Sequence, residues 1–205
     1  MTPGVSAEFA FSKMGALGEK ELDIFVEDPV AKVIIETIVD GGTRSRINVT
    51  RVGSAGAVAR QLAACYLRDA KSNIMAVFDG DQRALQKKNV DYARNMTEVN
   101  DAKIETWLTE RMSYLPGAVW PEAWLLQKCA EIPGELGAVL GVDADRASEI
   151  IEYALQAGKH EEFAEMGEQV NLDAQTCLIL TCGVVSRMFA GEFDDLRKAI
   201  QSALN

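Results

Sequence analysis

The sequence predicts an α/β fold, a mostly parallel sheet flanked by helices, followed by a helical C-terminal appendage. Short apolar runs, Leu22-Asp23-Ile24-Phe25-Val26, Ile47-Asn48-Val49-Thr50-Arg51-Val52 and Ile74-Met75-Ala76-Val77-Phe78, alternate with stretches of helical period. Two of these runs close in acidic clusters, Glu27-Asp28 and Asp79-Gly80-Asp81, and beyond Pro121 only helical periodicity remains. A β-α-β-α-β order requires crossover connections, which make the strands parallel and cover both faces of the sheet.

The elements can be read in chain order. Residues 7–20 mix apolar and small residues with glycines and read as a short helix and a loop. After the first strand, Leu22–Val26, Pro29 falls at a first helical turn, where its missing N–H is tolerated. Val30, Val33, Ile34, Thr37 and Ile38 then recur at helical spacing until Gly41-Gly42 stops the helix. The second strand, 47–52, is β-branched and short, and Gly53-Ser54 turns the chain into a helix whose Val58, Leu62, Cys65 and Tyr66 share one face. Ile74–Phe78 is the third strand. Residues 83–109 turn polar, with Arg83, Lys87, Lys88 and Arg94 among acids, and read as an insertion or a solvated helix pair. Met112-Ser113-Tyr114-Leu115 offers a fourth short strand, stopped by Pro116-Gly117. Helices are expected over 122–131, 133–140, 145–157, 161–170, 174–190 and 194–204. In the third of these, Ile150, Ile151, Ala154 and Leu155 form one stripe, with Asp145 and Glu149 toward its N-terminal end. The expected organisation is a catalytic core over 1–120, with its insertion at about 83–109, and a helical appendage over 121–205.

Composition narrows the function. A chain of 205 residues, 48% hydrophobic and 25% charged, buries a real core and is not disordered by default. Its net charge of −10 disfavours nucleic-acid binding through a broadly basic surface, so a polyanionic substrate requires local basic patches, bound cations or a basic partner. Cys65, Cys129, Cys177 and Cys182 lack metal-ligand spacing and pair into no disulfide framework, so they read as reduced core residues of a cytoplasmic protein. No basic segment followed by an apolar stretch opens the chain, and no window approaches the ~18 apolar residues of a membrane span. A soluble protein without a membrane partner is expected.

The carboxylates carry the chemistry. Asp79 and Asp81 are two apart and project to the same side of an extended backbone, while Gly80 lets the chain turn closely around an ion. Glu27 comes from a different strand and supplies a second wall. Hard oxygen donors gathered at the carboxyl ends of parallel strands suit Mg²⁺ or Mn²⁺. Two such ions ~3.5–4 Å apart stabilise the attacking and leaving oxygens of an in-line displacement at phosphorus.

Phe25-Val26-Glu27-Asp28, with Val77-Phe78-Asp79-Gly80-Asp81 about fifty residues later, resembles the topoisomerase-primase (Toprim) fold, which is Rossmann-like. Within it, the chain is most similar to the C-terminal nuclease region of the overcoming-lysogenization-defect (OLD) family, with Val52-Gly53-Ser54-Ala55-Gly56, Leu115-Pro116-Gly117 and Pro121-Glu122 as further landmarks. The motifs span residues 22–126. The resemblance implies a metal-dependent endonuclease acting on DNA by two-metal catalysis, in a family whose full members carry an ATPase domain N-terminal to this region. No Walker A loop occurs here, so the chain reads as a nuclease half, natural or truncated, and any homo-oligomer would form through the missing ATPase part. By position, Glu27 becomes a metal ligand or general acid/base, Asp79 and Asp81 become metal ligands, Glu122 a further ligand, and Ser54 a residue that helps hold the site. The acid often found four residues after the glutamate is Ala31 here, leaving Asp28 or Glu36 to replace it.

Other readings of the same residues stay open. Asp79-Gly80-Asp81 also suits a polar turn, and Glu27-Asp28 before Pro29 suits helix N-terminal charge. Glu122 sits at a helix start, where acids are common, and Lys159 is either a catalytic cation or a solvated surface lysine. His160 reads as a helix cap or surface residue. Arg44, Arg46 and Arg51, like Arg83, Lys87 and Lys88, either edge the site and touch DNA backbone or form ordinary charged surface. Trp107, Trp120 and Trp124 read as packing anchors. The rival functions are a haloacid-dehalogenase-like phosphatase, whose DxD supplies an aspartyl nucleophile, and a non-catalytic Toprim-like docking module.

Overall fold

The structure is a computed structural model that describes residues 20–99 and 102–205. The helix expected within 7–20 therefore lies outside the described residues, except for Lys20. Four strands, β1 (Leu22–Val26), β2 (Ile47–Arg51), β3 (Ile74–Phe78) and β4 (Met112–Tyr114), form a sheet of order β2-β1-β3-β4. Every pairing is parallel, with Val26 opposite Arg51 on one side and Val77 on the other. From β1 the chain moves to one edge, and from β3 it moves to the other. The neighbours β1 and β3 thus flank the topological switch point, where open α/β sheets leave a crevice at the strand carboxyl ends.

The crossovers account for the chain between the strands. Helix α1 (Pro29–Ile38) comes after β1, and a short second helix, α2 (Gly41–Arg46), precedes β2. The glycine pair expected to end the first helix instead opens the second, because Asp40 Oδ1 accepts the Thr43 N–H at 3.0 Å as its N-cap. Helix α3 (Ala55–Arg68) joins β2 to β3. The helix pair expected over 83–109 is α4 (Gln86–Thr97) and α5 (Ala102–Glu110), which runs one residue further, after a 3₁₀ turn over Gly80–Leu85. Helices α6 (Pro121–Ala130), α7 (Pro133–Leu140), α8 (Ala144–Gln156), α9 (Glu162–Val170), α10 (Ala174–Met188) and α11 (Asp194–Ala203) complete the described fold.

Strand alternation divides the core into two layers. Leu22, Ile24, Val26, Met75 and Val77 face α1 and the C-terminal helices, whose Trp124, Leu125, Ile150, Cys182 and Ile200 belong to the same buried cluster. Phe25, Ala76 and Phe78 face the other way, onto Val58 and Leu62 of α3, Val90 of α4 and Leu108 of α5. All five residues of β3 are buried, as expected of a central strand covered on both faces. The four cysteines are buried and free, and burial pushes the Cys129 thiol up to about 12. Trp124 packs edge-on against Phe193 and Trp107 against Tyr66, as packing anchors do. Among the described residues no single helix is long and apolar enough to cross a membrane.

Candidate metal centre

Glu27 and Asp28 come directly after β1, and Asp79 directly after β3, so all three stand at the switch-point rim. Asp28 caps α1, its Oδ1 accepting the Ala31 N–H at 2.8 Å, with Pro29 in the first turn as its fixed φ favours. Ser54 caps α3 more loosely, accepting the Ala57 N–H at 3.4 Å. Gly53, at φ 114°, makes the preceding turn and donates its N–H to Glu27 O at 3.0 Å. Two helix N-termini therefore open on the rim and favour negative charge there.

A cavity of about 460 Å³ occupies this crevice, lined by Glu27, Asp28, Ser54, Asp79, Glu122, Lys159 and His160 together with Pro29, Val30 and Gly53. Asp79 is 6% exposed and Glu122 3% exposed, yet Asp79 Oδ1 and Glu122 Oε2 have no hydrogen-bond partner. Burial pushes the Asp79 carboxyl up to about 8, reinforced by the charges of Glu27, Asp28, Asp81 and Glu122. Glu27 is also raised, first by burial and then by Asp81 and Asp28, although the Asp79 N–H donates to its Oε1 at 3.3 Å. Glu122 is raised by burial, against the opposing effect of its hydrogen bond with His160. Burial is the largest cause of all three shifts, and neighbouring acids add to it.

Among solved structures, the chain is similar to the C-terminal region of the Xanthomonas campestris pv. campestris OLD protein. The TM-score is 0.51 at 13% identity, covering 92% of this chain and 100% of that one. No protein-family model and no curated protein matches. The likeness establishes the fold.

On this α/β fold, Glu27, Asp28, Ser54, Asp79, Glu122 and Lys159 converge as lining residues of one cavity. Asp81 sits just outside that lining, in the 3₁₀ turn, where Gln82 Nε2 donates to its Oδ1 at 3.1 Å, but its charge still acts on both Asp79 and Glu27. Glu36 points elsewhere and pairs with Lys32 at 3.8 Å, while Ala31 is fully buried, so Asp28 is the acid of this segment that reaches the cavity. Gly80 is required for a reason the sequence does not display. A Cβ there would lie 2.6 Å from Gly117 O and 2.7 Å from Pro116 O, so the loop after β4 presses directly on the turn.

His160 is exposed, as expected of a surface residue, but sequence reasoning gave it no partner. It adopts φ 72° between α8 and α9, and its Nδ1 lies 2.7 Å from Glu122 Oε1, 38 residues away in sequence. Only tertiary structure brings the two together. Beside it, Lys159 Nζ stands 5.4 Å from the centre of the Trp120 ring, and the Trp120 indole N–H donates to buried Glu162.

The basic clusters separate by location. Arg51 ends β2 at the carboxyl rim, whereas Arg46 lies at the opposite end of the sheet, paired with Glu21 at 2.7 Å. Arg83 stacks over Tyr114 and donates to Leu115 O at 3.3 Å. Lys87 lines a larger cleft of about 800 Å³ near α4 and α5, where Arg94 pairs with Asp91 and Glu105. That cleft is wider than the rim cavity, but its acids are matched by an arginine.

Proposed function

We propose that this chain is a divalent-metal-dependent nuclease module that cuts phosphodiester bonds in DNA, the catalytic half of an OLD-type ATPase–nuclease. The observation that carries this reading is the pair of buried, unpartnered carboxylate oxygens, Asp79 Oδ1 and Glu122 Oε2, on two walls of one switch-point cavity. Leaving such groups unpaired is costly, and hard oxygen donors on separate walls fit Mg²⁺ or Mn²⁺. Glu27, Asp79 and Asp81 would hold the principal ion, with Asp28 and Glu122 on the side of a second. Ions bound there would polarise the scissile phosphate and supply a hydroxide-like nucleophile at neutral pH.

The remaining roles belong to side chains. Glu27 is either a ligand of the principal ion or, if it stays free of metal, a general acid/base for a water at the rim. Lys159 is the lysine among the lining residues and would offset charge on a phosphate. Ser54 and the α3 N-terminus offer donors to a phosphate oxygen, and exposed Arg51 and Arg83 would guide the DNA backbone. The partner expected is an ATPase domain or subunit, because the structural neighbour is the C-terminal region of its own protein. Four free, buried cysteines suit a reducing cytoplasm.

A supercoiled-plasmid nicking assay with Mg²⁺, Mn²⁺ or EDTA tests this function. Nicking with either metal, abolished by EDTA and reduced roughly 10²-fold or more in Asp81→Ala, is the expected result. Turnover of p-nitrophenyl phosphate without nicking would establish the phosphatase instead. Neither activity, with Asp79→Ala changing only the melting temperature, would leave the docking module.

A further inference from the structure

Asp28, Glu122 and His160 come from three separated stretches of the chain, the start of α1, the start of α6 and the α8–α9 connection. One donor atom of each lies within 4.8 Å of the other two. Glu122 brings a second, independent observation, because this cavity-lining residue is 3% exposed and its Oε2 has no hydrogen-bond partner. His160, half-exposed, adopts φ 72°, a left-handed conformation that His takes more readily than most residues, and its imidazole is set 2.7 Å from that same carboxylate. His160 lies within a turn closed by the Glu161 N–H donating to Gly158 O at 2.9 Å, and it lines the same cavity.

We propose that Asp28, Glu122 and His160 form a mixed oxygen-and-nitrogen metal position that selects a first-row transition cation such as Mn²⁺ over Mg²⁺. This rests on the metal-dependent reading of the same rim and specifies which cation it takes. Two carboxylates alone would accept Mg²⁺, which favours oxygen donors and retains water. An imidazole nitrogen adds a softer donor that Mg²⁺ uses poorly and that transition cations bind with affinity rising along the first row. Asp28 can serve while still capping α1, because the cap uses Oδ1 and leaves Oδ2. Glu122, already fixed near the imidazole, needs no large rearrangement to share an ion with it.

Metal binding read directly, apart from turnover, tests the proposal. Chelator-stripped wild type and His160→Ala are titrated with Mn²⁺ and with Mg²⁺ by calorimetry, and the Mn²⁺-loaded proteins are examined by electron spin-echo envelope modulation for coupling to ¹⁴N. Thermal unfolding shows whether His160→Ala remains folded, and His160→Gln serves as a second variant that keeps a polar side chain. The expected result is wild-type preference for Mn²⁺, ¹⁴N modulation present in wild type and absent in both variants, and Mn²⁺ affinity weakened about 10- to 100-fold while Mg²⁺ affinity changes by less than about twofold. Wild type that nicks plasmid but shows no ¹⁴N coupling would overturn this inference alone. A protein that shows the coupling and the selectivity but never nicks DNA would instead remove the nuclease reading and leave the metal position standing.

Discussion

The two ends of the β-sheet treat acidic residues in opposite ways. At the amino ends of the strands, Glu21 meets Arg46 in a two-pronged pair, its Oε1 and Oε2 accepting at 2.8 and 2.7 Å, and its carboxyl is held below the ordinary range. Arg46 also donates to Leu204 O at 2.8 Å, and Asn73 ties the same edge to Ala203 O at 2.7 Å. At the carboxyl ends, Glu27, Asp79 and Glu122 are all raised, first by burial and then by neighbouring acids, with Asp28 acting on all three and no guanidinium among the residues lining their cavity. One end is satisfied by the chain's own groups and serves structure. The other keeps two buried carboxylate oxygens, Asp79 Oδ1 and Glu122 Oε2, without a hydrogen-bond partner, an arrangement that would suit an external cation.

Moving charge at the unsatisfied end should break this contrast most severely. Asp79→Ala is expected to lower metal-dependent nicking roughly 10²-fold or more, while Glu21→Ala leaves it unchanged; equal losses in a plasmid assay would erase the difference between the two ends. Next comes core packing, which the two ends share. Phe78→Ala removes a fully buried ring at the last residue of β3 and should cost about 3–5 kcal/mol in urea unfolding.

The pH dependence of the metal-free protein sharpens the comparison. Asp79 holds its proton more tightly folded than unfolded, since its carboxyl is pushed up to about 8. Its contribution to stability is therefore fully present below the ordinary carboxylate range and is lost as the pH climbs through about 8. Glu27 and Glu122 act with the same sign. Chelator-treated protein should lose stability between pH 5 and pH 9 in denaturant titrations, and added Mn²⁺ should restore part of the loss. By the same reasoning, metal-free Asp79→Asn should melt a few °C higher than wild type near pH 8. The smallest effect belongs to the satisfied end, where Glu21→Gln should shift the melting temperature by no more than about 2 °C, because exposed ion pairs contribute little.

Much of the fold was legible because its signals are local. The apolar runs became β1 and β3 with the expected ends, the second strand closed one residue earlier at Arg51, and the helical segments beyond Pro121 match within about two residues. Pro29, Gly53 and the capping Asp28 and Ser54 each announce a turn or a helix start through their own backbone chemistry. The short α2 was not legible, because Gly41-Gly42 reads as a stop unless Asp40 is seen to cap a new helix. The strand-end acids of the rim could be read from spacing, since register and strand order place the ends of β1 and β3 side by side. The partnership of Glu122 with His160 could not, for it depends on how α6, α8 and α9 pack and on one backbone turn at φ 72°. The need for Gly80 was visible, but its cause, the Pro116-Gly117 loop passing against it, was not.

We propose that the acids of the carboxyl rim cage a divalent cation. Crystals of the chain soaked in MnCl₂ and measured at the manganese absorption edge test it most directly. Anomalous density is expected inside the cavity, in contact with carboxylate oxygens of Asp79 and at least one of Glu27 and Glu122. Well-ordered crystals whose manganese lies only at lattice contacts, with those carboxylates turned toward water or Lys159, would contradict it.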